Sequence, residues 1–421
     1  MLDLKFVAEN AETVQKNLHN RGIKVSINKL VEAYAQHKLL LQEQDGLRAE
    51  KNTLAKSVKS APSKAHIQKV KAVKHKLEQL EAKTKELPDL KALLTQLPNL
   101  TLPDVPVGKD ASTNVVLREV GKKPKLTKAQ AYLALGENLG IIDVERAAKV
   151  AGSRFGYLTG AGALLEFALV QYALQELTHA GFTPMVPPVL VKEQHMAAMG
   201  YLAQGGADEV YHLEKDKQYL VGTSEQSVGP YHADELIPQA ELPKKYAAIS
   251  TCFRREAGSY GKDTKGILRV HQFDKVEMFV VCVPEASEKI HQQLLTLQEK
   301  FMQGLQLPYR VVQLCTGELG FPSAKTIDIE TWLPGQDAGK GEYRETHSTS
   351  NTTDYQARAL NVRVKGKDGK NVVAHMLNGT AFAIGRTIIA ILENYQQPDG
   401  SVKIPKVLVP FMHGLDSISV K

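Results

Sequence analysis

A repeating pattern of apolar residues in the first hundred positions constrains the fold of this chain more than any other feature. Successive members of the pattern are three and four residues apart, the spacing that buries one stripe of each helix in a coiled coil. The first run is Leu30, Ala33, His37, Leu40, Gln44, Leu47, Lys51, Leu54 and Val58, and the second is Val70, Val73, Leu77, Leu80, Thr84 and Leu87. The segment KSAPSKAH between them contains Pro62, which interrupts a helix. The pattern predicts an antiparallel helical hairpin, an arm over about residues 27–97.

Basic residues are concentrated around the turn of this arm. From residue 46 to residue 76 there are nine Lys or Arg and one Glu, a local charge of +8, whereas the whole chain has a net charge of +7. Such a cluster suits phosphate binding, and lysines favour contact with a nucleic-acid backbone over base recognition. The alternative is a solvated helical surface without a partner. The candidate tRNA contacts are Arg48, Lys51, Lys56, Lys59, Lys69, Lys71 and Lys74.

The remainder of the chain has a different pattern. Pro98, Pro103 and Pro106 end the helical region and indicate a linker. After it, strand-like runs such as GFTPMVPPVLV, YAAIST, KVEMFVVCV and RVVQL alternate with amphipathic segments. This order predicts an α+β protein with a mainly antiparallel sheet flanked by helices. We expect an N-terminal domain of residues 1–105 and a second domain of residues 106–421.

Composition narrows the class of protein. The three cysteines include no CxxC pair, so we expect reduced thiols and no structural zinc. The N-terminus does not resemble a signal peptide, and no apolar run reaches the length of about 18 residues that a membrane span needs. We therefore predict a cytoplasmic protein. The glycine-rich motifs GxxxxGK[ST] and GxGxxG are absent, so a nucleotide would have to be held by side chains.

The stretch CFRREAGSYGKDTKGILRVHQF provides such side chains. Arg254 and Arg255 follow one strand-like run, and Arg269, Phe273 and Lys275 lead into the next after a glycine-rich loop. Guanidinium groups can hold phosphate oxygens while an aromatic ring stacks on a purine. The alternative is an exposed basic hairpin with Phe273 in the core.

The same stretch resembles motif 2 of the class II aminoacyl-tRNA synthetases, in the form found in seryl-tRNA synthetases. GFTPMVPPVLV resembles motif 1 with its terminal proline, Pro188, and NGTAFAIGRTIIAILENYQ resembles motif 3. VGTSEQS resembles the serine-binding TSE segment of that family. These motifs follow the family's order, and the resemblance extends over essentially the whole chain. It implies a helical tRNA-binding arm followed by a class II catalytic domain.

The resemblance also implies roles in ATP binding. Arg254 would bridge the α-phosphate and the serine carboxylate, Phe273 would stack on adenine, and Arg386 would hold the γ-phosphate. Glu345 and Ser348 would bind Mg²⁺, and Arg254, Glu345 and Arg386 would be the catalytic group. The implied ATP contacts are Arg254, Arg255, Glu256, Phe273, Glu345, Thr346, His347, Ser348 and Arg386.

Serine binding is implied for a second set of residues. Two carboxylates suit an ammonium group and a hydroxyl donor, and a site that bonds a hydroxyl rejects alanine because polar groups would be left unpaired. The implied serine contacts are Thr223, Ser224, Glu225, Arg254, Glu277, Asn378 and Thr380.

Three segments depart from the family's usual pattern. ETHSTSN has Thr346 and His347 in place of the Ile and Ser of EISSCSN, so His347 is either an added metal ligand or a tolerated substitution. GALLEFAL lacks arginines that are common as GARLERAL, which bears on dimer contacts. Thr380 replaces a serine but keeps the hydroxyl.

The implied function is ligation of serine to tRNA(Ser), and to tRNA(Sec) in organisms that have one, by a homodimer that uses ATP and Mg²⁺ and binds no membrane. Two alternatives stay open. A related ligase that loads an amino acid onto a carrier protein would lack the long arm. A catalytically inactive relative that only binds RNA would lose motif arginines or metal carboxylates, whereas Arg254, Glu345 and Arg386 are present.

Overall fold

The computed structural model describes residues 1–57, 62–258, 263, 265–366 and 369–420. By their internal contacts they form two compact units, one of residues 2–98 and one of residues 99–421 together with Met1. Val58 of the predicted apolar pattern and the candidate tRNA contact Lys59 lie outside the described residues. Division into functional domains at residues 105 and 106 stays a prediction.

The first unit contains the predicted helical hairpin. Its helices are α1 (Leu4–Glu9), α2 (Ala11–Asn20), α3 (Asn28–Lys56), α4 (Lys64–Glu86) and α5 (Leu90–Leu94). The Ser63 hydroxyl caps α4 by accepting a hydrogen bond from the backbone N–H of His66. Helices α3 and α4 pack together, and the long helical hairpin is confirmed. The buried members of the pattern include Leu30, Ala33, Gln44, Val73, Leu77 and Leu80.

Polar residues within the apolar stripe have partners across the hairpin. Within the stripe, Gln44 Nε2 donates to Thr84 Oγ1 at 2.8 Å. Beside the stripe, on the exposed surface, Arg48 Nη2 lies 3.4 Å from Glu81 Oε1. A buried polar pair fixes the register of two helices because other registers leave it unpaired. The pair of Gln44 and Thr84 thus fixes the register of α3 against α4.

The second unit is built on one sheet of eight strands. They are β1 (Val115–Val120), β2 (Thr183–Met185), β3 (Lys244–Phe253), β4 (Gln272–Cys282), β5 (Tyr309–Gln313), β6 (Lys325–Leu333), β7 (Glu342–Asn351) and β8 (His375–Ala383). Their order across the sheet is β1-β5-β6-β7-β8-β4-β3-β2. All pairs are antiparallel except β2 with β3, so the predicted mainly antiparallel sheet is confirmed.

Helices and short strands complete this unit. The helices are α6 (Tyr132–Asn138), α7 (Val144–Ala151), α8 (Ala161–His179), α9 (Glu193–Ala198), α10 (Gly206–Glu209), α11 (Glu225–Val228), α12 (Ser287–Gly304), α13 (Tyr355–Ala359) and α14 (Ile384–Tyr395). Small sheets join Ile142–Asp143 to Tyr157–Leu158, Val402–Lys403 to Ser417–Ile418, Leu190–Lys192 to Gln218–Leu220 and His212–Leu213, and Arg363–Lys365 to Asn371–Val373 and Leu236–Pro238.

The two faces of the large sheet have different surroundings. Because side chains alternate along a strand, Val276, Met278 and Val280 of β4 point to one face and pack in the main core. Helices α8, α12 and α14 pack against the sheet and contribute to that core. On the other face Phe279 belongs to a second core, and Glu277, two residues before it in β4, is buried. We call this second face the open face, and its polar part holds the candidate site.

None of the helices in the described ranges is long and apolar enough to cross a membrane.

Candidate active site

Four neighbouring strands place polar side chains on the open face of the sheet. Cross-strand partners in an antiparallel pair point to the same face, so the register shows which residues share it. Glu277 is opposite Thr380, Ser350 is opposite Asn378, and Ser348 is opposite Asp328. The residues that this register places on the face are Lys275, Glu277, Asp328, Glu330, Glu345, Ser348, Ser350, Asn378 and Thr380.

A β-bulge in β7 brings the two predicted metal ligands together. Glu345 and Ser348 are three residues apart, so a regular strand would point them to opposite faces. The register with β6 shifts here, because His347 pairs with Ile329 but Glu345 pairs with Glu330. Thr346 is the extra residue, and Glu345 consequently points to the same face as Ser348.

Thr346 and His347 point to the core face. Thr346 Oγ1 lies 2.7 Å from Thr331 Oγ1, and the His347 ring packs at 63° to the Phe382 ring. Burial lowers the pKa of His347 to about 4, so its imidazole is neutral. Its side chain lies on the face opposite Glu345, where a substitution is tolerated by packing. The predicted contacts of these two residues with ATP stay predictions.

A second bulge, in β8, aligns the predicted serine contacts. Val276 pairs with Phe382, but the next residue, Glu277, pairs with Thr380, so Ala381 is the extra residue. Thr380 Oγ1 donates to Glu277 Oε2 at 3.4 Å. Thr380 and Glu277 therefore lie together on the open face.

Beneath both bulges, Gln298 of α12 connects the strands. Its Nε2 donates to the carbonyl oxygen of Ser348 at 2.9 Å and to that of Thr380 at 2.8 Å. The described ladder between β7 and β8 covers only Thr349 to Asn351. A fully buried amide thus ties β7 to β8 just beyond their ladder.

The TSE segment contributes buried oxygen atoms. Within the described residues, Ser224 Oγ and Glu225 Oε2 are buried without a hydrogen-bond partner. Burial, followed by the nearby charge of Glu277, raises the pKa of Glu225 to about 8. Gln226 Oε1 accepts a hydrogen bond from the backbone N–H of Gly222 at 2.7 Å and so fixes the start of the segment. Unpaired buried acceptors of this kind suit a bound ammonium or hydroxyl group.

Arg254 lies near the residues of both predicted subsites. Its Nε donates to the carbonyl oxygen of Gly222 at 3.0 Å, and its guanidinium carbon is 5.3 Å from the centre of the Phe273 ring. Its charge favours the ionised form of both Glu225, whose pKa burial nevertheless raises, and Glu345, whose pKa lies below its usual value. A fixed cation near both groups can neutralise negative charge that develops between them.

Arg255 and Glu256 have protein partners. Arg255 Nε donates to the carbonyl oxygen of Val210 at 3.1 Å, and its guanidinium lies over Tyr211. Glu256 Oε2 accepts from Arg269 Nη1 at 2.8 Å. The predicted nucleotide contact of Glu256 would share the carboxylate with Arg269.

Glu345 and Arg386 form an ion pair across the open face. Arg386 Nη1 is 3.2 Å from Glu345 Oε2 and donates to the backbone oxygen of Glu345 at 2.9 Å. Desolvation raises the pKa of Glu345, but Arg386, Arg254 and Lys275 outweigh it, and the pKa lies below its usual value. The carboxylate is ionised and half exposed, the state in which it can bind a cation.

Asp328 was not predicted from the sequence. It accepts a hydrogen bond from the Ser348 side chain, while its Oδ1 is buried without a partner among the described residues. An acceptor behind Ser348 orients that hydroxyl, which fits the predicted magnesium pair of Glu345 and Ser348. In the described ranges, this site included, no group of three or more His, Cys, Asp and Glu could hold a metal ion.

Lys275 was also missed as a site residue, although it precedes Glu277 by two positions in the same strand. Its Nζ donates to Thr223 Oγ1 at 2.7 Å and pairs with Glu277 Oε2. Strand alternation would have placed both residues on one face. Gln298 carries no comparable pattern, because its role depends on how α12 packs.

The predicted tRNA contacts within the described part of the arm are exposed. Two of them have acidic neighbours, Arg48 with Asp45 and Glu81, and Lys74 with Glu78. The exposed cations that are furthest from carboxylates are the better candidates for phosphate contact.

Comparisons with known proteins identify the family to which the chain belongs. Residues 1–101 match the family model of the seryl-tRNA synthetase N-terminal domain, and residues 210–395 match that of the tRNA synthetase class II core domain (G, H, P, S and T). The chain is 43% identical to a serine–tRNA ligase of Treponema denticola, over 99% of this chain and 100% of that one. The chain belongs to the seryl-tRNA synthetase family. A serine–tRNA ligase of Nocardia farcinica is 44% identical over 98% of both chains.

Solved structures of the seryl-tRNA synthetase family share the fold. Seryl-tRNA synthetase from Pyrococcus horikoshii, complexed with ATP, has a TM-score of 0.92 and 38% identity over the full length of both chains. The cytoplasmic serine–tRNA ligase of Naegleria fowleri, in complex with AMP, has a TM-score of 0.87 and 33% identity over 100% of this chain and 99% of that one. The family assignment, the class II fold and the enzyme class are thereby confirmed.

The raised pKa of Glu225 leads to a prediction about stability. Between about pH 4.5 and about pH 8 the folded chain keeps a proton on Glu225 that the unfolded chain releases. The contribution of this group to the free energy of unfolding therefore falls as the pH rises through that window. Glu225→Gln has no such proton. The melting temperature of this variant minus that of the wild type should therefore rise by several degrees between about pH 4.5 and about pH 8.

The measurement is thermal unfolding across this pH window. Glu241→Gln, which changes a surface carboxylate, is the matched control and should show a constant difference from the wild type. A constant or falling difference for Glu225→Gln would contradict the assigned protonation.

Proposed function

We propose that this chain is a serine–tRNA ligase that activates L-serine with ATP and transfers the seryl group to tRNA(Ser). The main support for this proposal is the position of Arg254, whose charge favours the ionised forms of both Glu225 and Glu345. The two predicted subsites therefore share one cation on one face of the sheet. Relatives named serine–tRNA ligase and neighbours complexed with ATP or AMP support the same reaction.

The first step would be formation of seryl-adenylate. A serine carboxylate oxygen attacks the α-phosphorus of ATP, the bond to the bridging oxygen breaks, and diphosphate leaves. Arg254 would neutralise the carboxylate and the α-phosphate as they approach, and Arg386 would hold the terminal phosphate. Such chemistry depends on positioning and charge neutralisation rather than on a protein nucleophile.

Selection of serine would rest on the buried oxygen atoms. Glu225, Glu277 and Thr223 would surround the ammonium group, while Asn378 and Thr380 would lie near the hydroxyl. Because a missing hydroxyl would leave buried polar groups unpaired, alanine would be rejected. Threonine would bring an additional methyl group to a site bordered by Thr380.

Glu345 and Ser348 would hold Mg²⁺, and the other proposed ATP contacts would surround the nucleotide. The shared face created by the Thr346 bulge supports this ligand pair. The ion would neutralise phosphate charge when bound. Phe273 would stack on adenine, beside the guanidinium of Arg254.

In the second step, a hydroxyl of the 3′-terminal adenosine attacks the seryl carbonyl carbon and AMP leaves. The basic arm would bind the tRNA backbone, largely by charge and shape. We extend the proposal to tRNA(Sec) where an organism has one, and to a cytoplasmic location.

We also propose a homodimer. Leu164 and Phe167 occupy positions of α8 where the family commonly has arginine, and their side chains are 38% and 62% exposed. Val186, directly after β2, is 83% exposed. These exposed apolar side chains on α8 and after β2 would be covered by a second copy of the chain.

The arm and the intact ion pair argue against the two other functions. A ligase that loads an amino acid onto a carrier protein would lack the long arm, whereas this chain has one with exposed lysines near its turn. An inactive RNA-binding relative would not need Arg254 near both subsites and Arg386 paired with Glu345.

The proposed function predicts serine-dependent exchange between ATP and pyrophosphate by the purified full chain. Arg254→Ala should lower the exchange rate by a factor of about 100 or more, because it removes charge stabilisation at the reacting atoms. Arg118→Ala, which removes a half-exposed cation paired with Glu299 at the edge strand, should leave the rate unchanged. Exchange without serine dependence, or an active Arg254→Ala variant, would contradict the proposal.

A separate prediction concerns the arm. Changing four exposed lysines to glutamine should lower the rate of tRNA(Ser) charging at limiting tRNA by about tenfold or more and leave exchange intact. The four lysines are Lys51, Lys56, Lys69 and Lys71. The matched control changes four exposed lysines of the second unit, Lys149, Lys192, Lys215 and Lys403.

The control should charge tRNA(Ser) at the rate of the wild type although its net charge falls by the same amount. Equal loss in both variants would mean that net charge, not the arm, drives tRNA binding. Loss of exchange in the arm variant would assign the arm another role.

A further inference from the structure

Lys275 occupies a position that is costly for an ammonium group. It is 7% exposed, and Glu277 beside it is 2% exposed. A buried cation is retained only when it is paired and hydrogen-bonded, and Lys275 meets both conditions through Glu277 and Thr223. The partners belong to two different segments, β4 and the loop before α11.

Both partners are residues that the proposed function assigns to serine. The Lys275 ammonium holds Oε2 of Glu277, the oxygen that also accepts from Thr380, and it fixes the orientation of the Thr223 hydroxyl. Its positive charge also favours the ionised form of Glu225, against the larger effect of burial. One ammonium group thus contacts or influences each of the three residues that would surround the amino group of the substrate.

The charge balance of this cluster indicates what it can accept. When an ammonium group binds, it favours the ionised form of Glu225. Glu225 and Glu277 then contribute −2, and Lys275, which pairs with Glu277, reduces the sum to −1. An amino acid with one ammonium group matches a charge of −1, while its carboxylate is assigned to Arg254. Without Lys275, two buried carboxylates would face one cation, and a substrate with two positive charges would match better.

We propose that Lys275 is a positioning and specificity residue of the serine subsite, which holds Thr223 and Glu277 and restricts the subsite to amino acids with a single positive charge. This inference rests on the proposed function. It adds a residue that sets the charge of the site without replacing any of the assigned substrate contacts.

The test compares Lys275→Met with Lys275→Arg and a matched control in serine-dependent exchange. Lys325→Met is the control, since Lys325 is a buried lysine on β6 that also has two partners, Asp104 and Glu288. The expected result for Lys275→Met is a KM for serine raised about tenfold or more, with the KM for ATP changed much less. Lys275→Arg should recover part of the loss, and Lys325→Met should change neither constant selectively.

A second readout separates charge from general damage. The probe is 2,3-diaminopropionate, which carries an amino group in place of the serine hydroxyl and a second positive charge when protonated. The ratio of its inhibition constant to the KM for serine should fall about tenfold in Lys275→Met and stay unchanged in Lys325→Met. An equal loss for serine and ATP with an unchanged ratio, or a wild-type KM for serine, would overturn the inference.

Folding is checked by thermal unfolding of each variant. If Lys275→Met does not fold, Lys275→Gln, which keeps a hydrogen-bonding group without charge, takes its place with the same expected ratio. A wild-type chain without serine-dependent exchange would instead contradict the proposed function, so the two failures are distinguishable.

Discussion

A single extra residue in β7 determines what the open face of the sheet can do. Thr346 shifts the register with β6, and Glu345 thereby joins Ser348 and Asp328 on one face. A second extra residue, Ala381, does the same for Thr380 and Glu277. Without the bulge in β7 the sheet would still form, but Glu345 would point into the core, where an unpaired charge is strongly destabilising. The strand order β6-β7-β8-β4 then places the polar residues around Glu345 next to those around Glu277.

Around this arrangement, charges occur in compensating sets. Arg386 pairs with Glu345, Arg269 with Glu256, and Lys275 with Glu277. Each of these three carboxylates has a cation close by that compensates its charge, whereas burial raises the pKa of Glu225 to about 8. Arg254 has backbone and ring contacts instead. Its guanidinium has no described carboxylate partner and is suited to a substrate carboxylate and phosphate.

The sequence predicted the parts of the molecule that depend on local pattern. The three-four spacing predicted α3 and α4, and the strand-like runs predicted β3, β4 and β5. The resemblance in motifs 1 to 3 predicted the class and the candidate residues. It could not predict the faces, because a register shift of one residue at Thr346 depends on pairing with β6, which is distant in the chain. For the same reason the sequence could not decide whether His347 is a metal ligand or a tolerated substitution. It also gave no indication of Gln298 or Asp328.

We propose that the bulge at Thr346 makes Glu345 and Ser348 a metal-binding pair and directs His347 away from it. The most direct test is a crystal structure of the full chain grown with ATP and Mn²⁺, in which anomalous scattering locates the ion. We expect one anomalous peak within coordination distance of both the Glu345 carboxylate and the Ser348 hydroxyl, with the His347 ring on the far side of the sheet. An ion bound by His347, or one that contacts neither Glu345 nor Ser348, would contradict it.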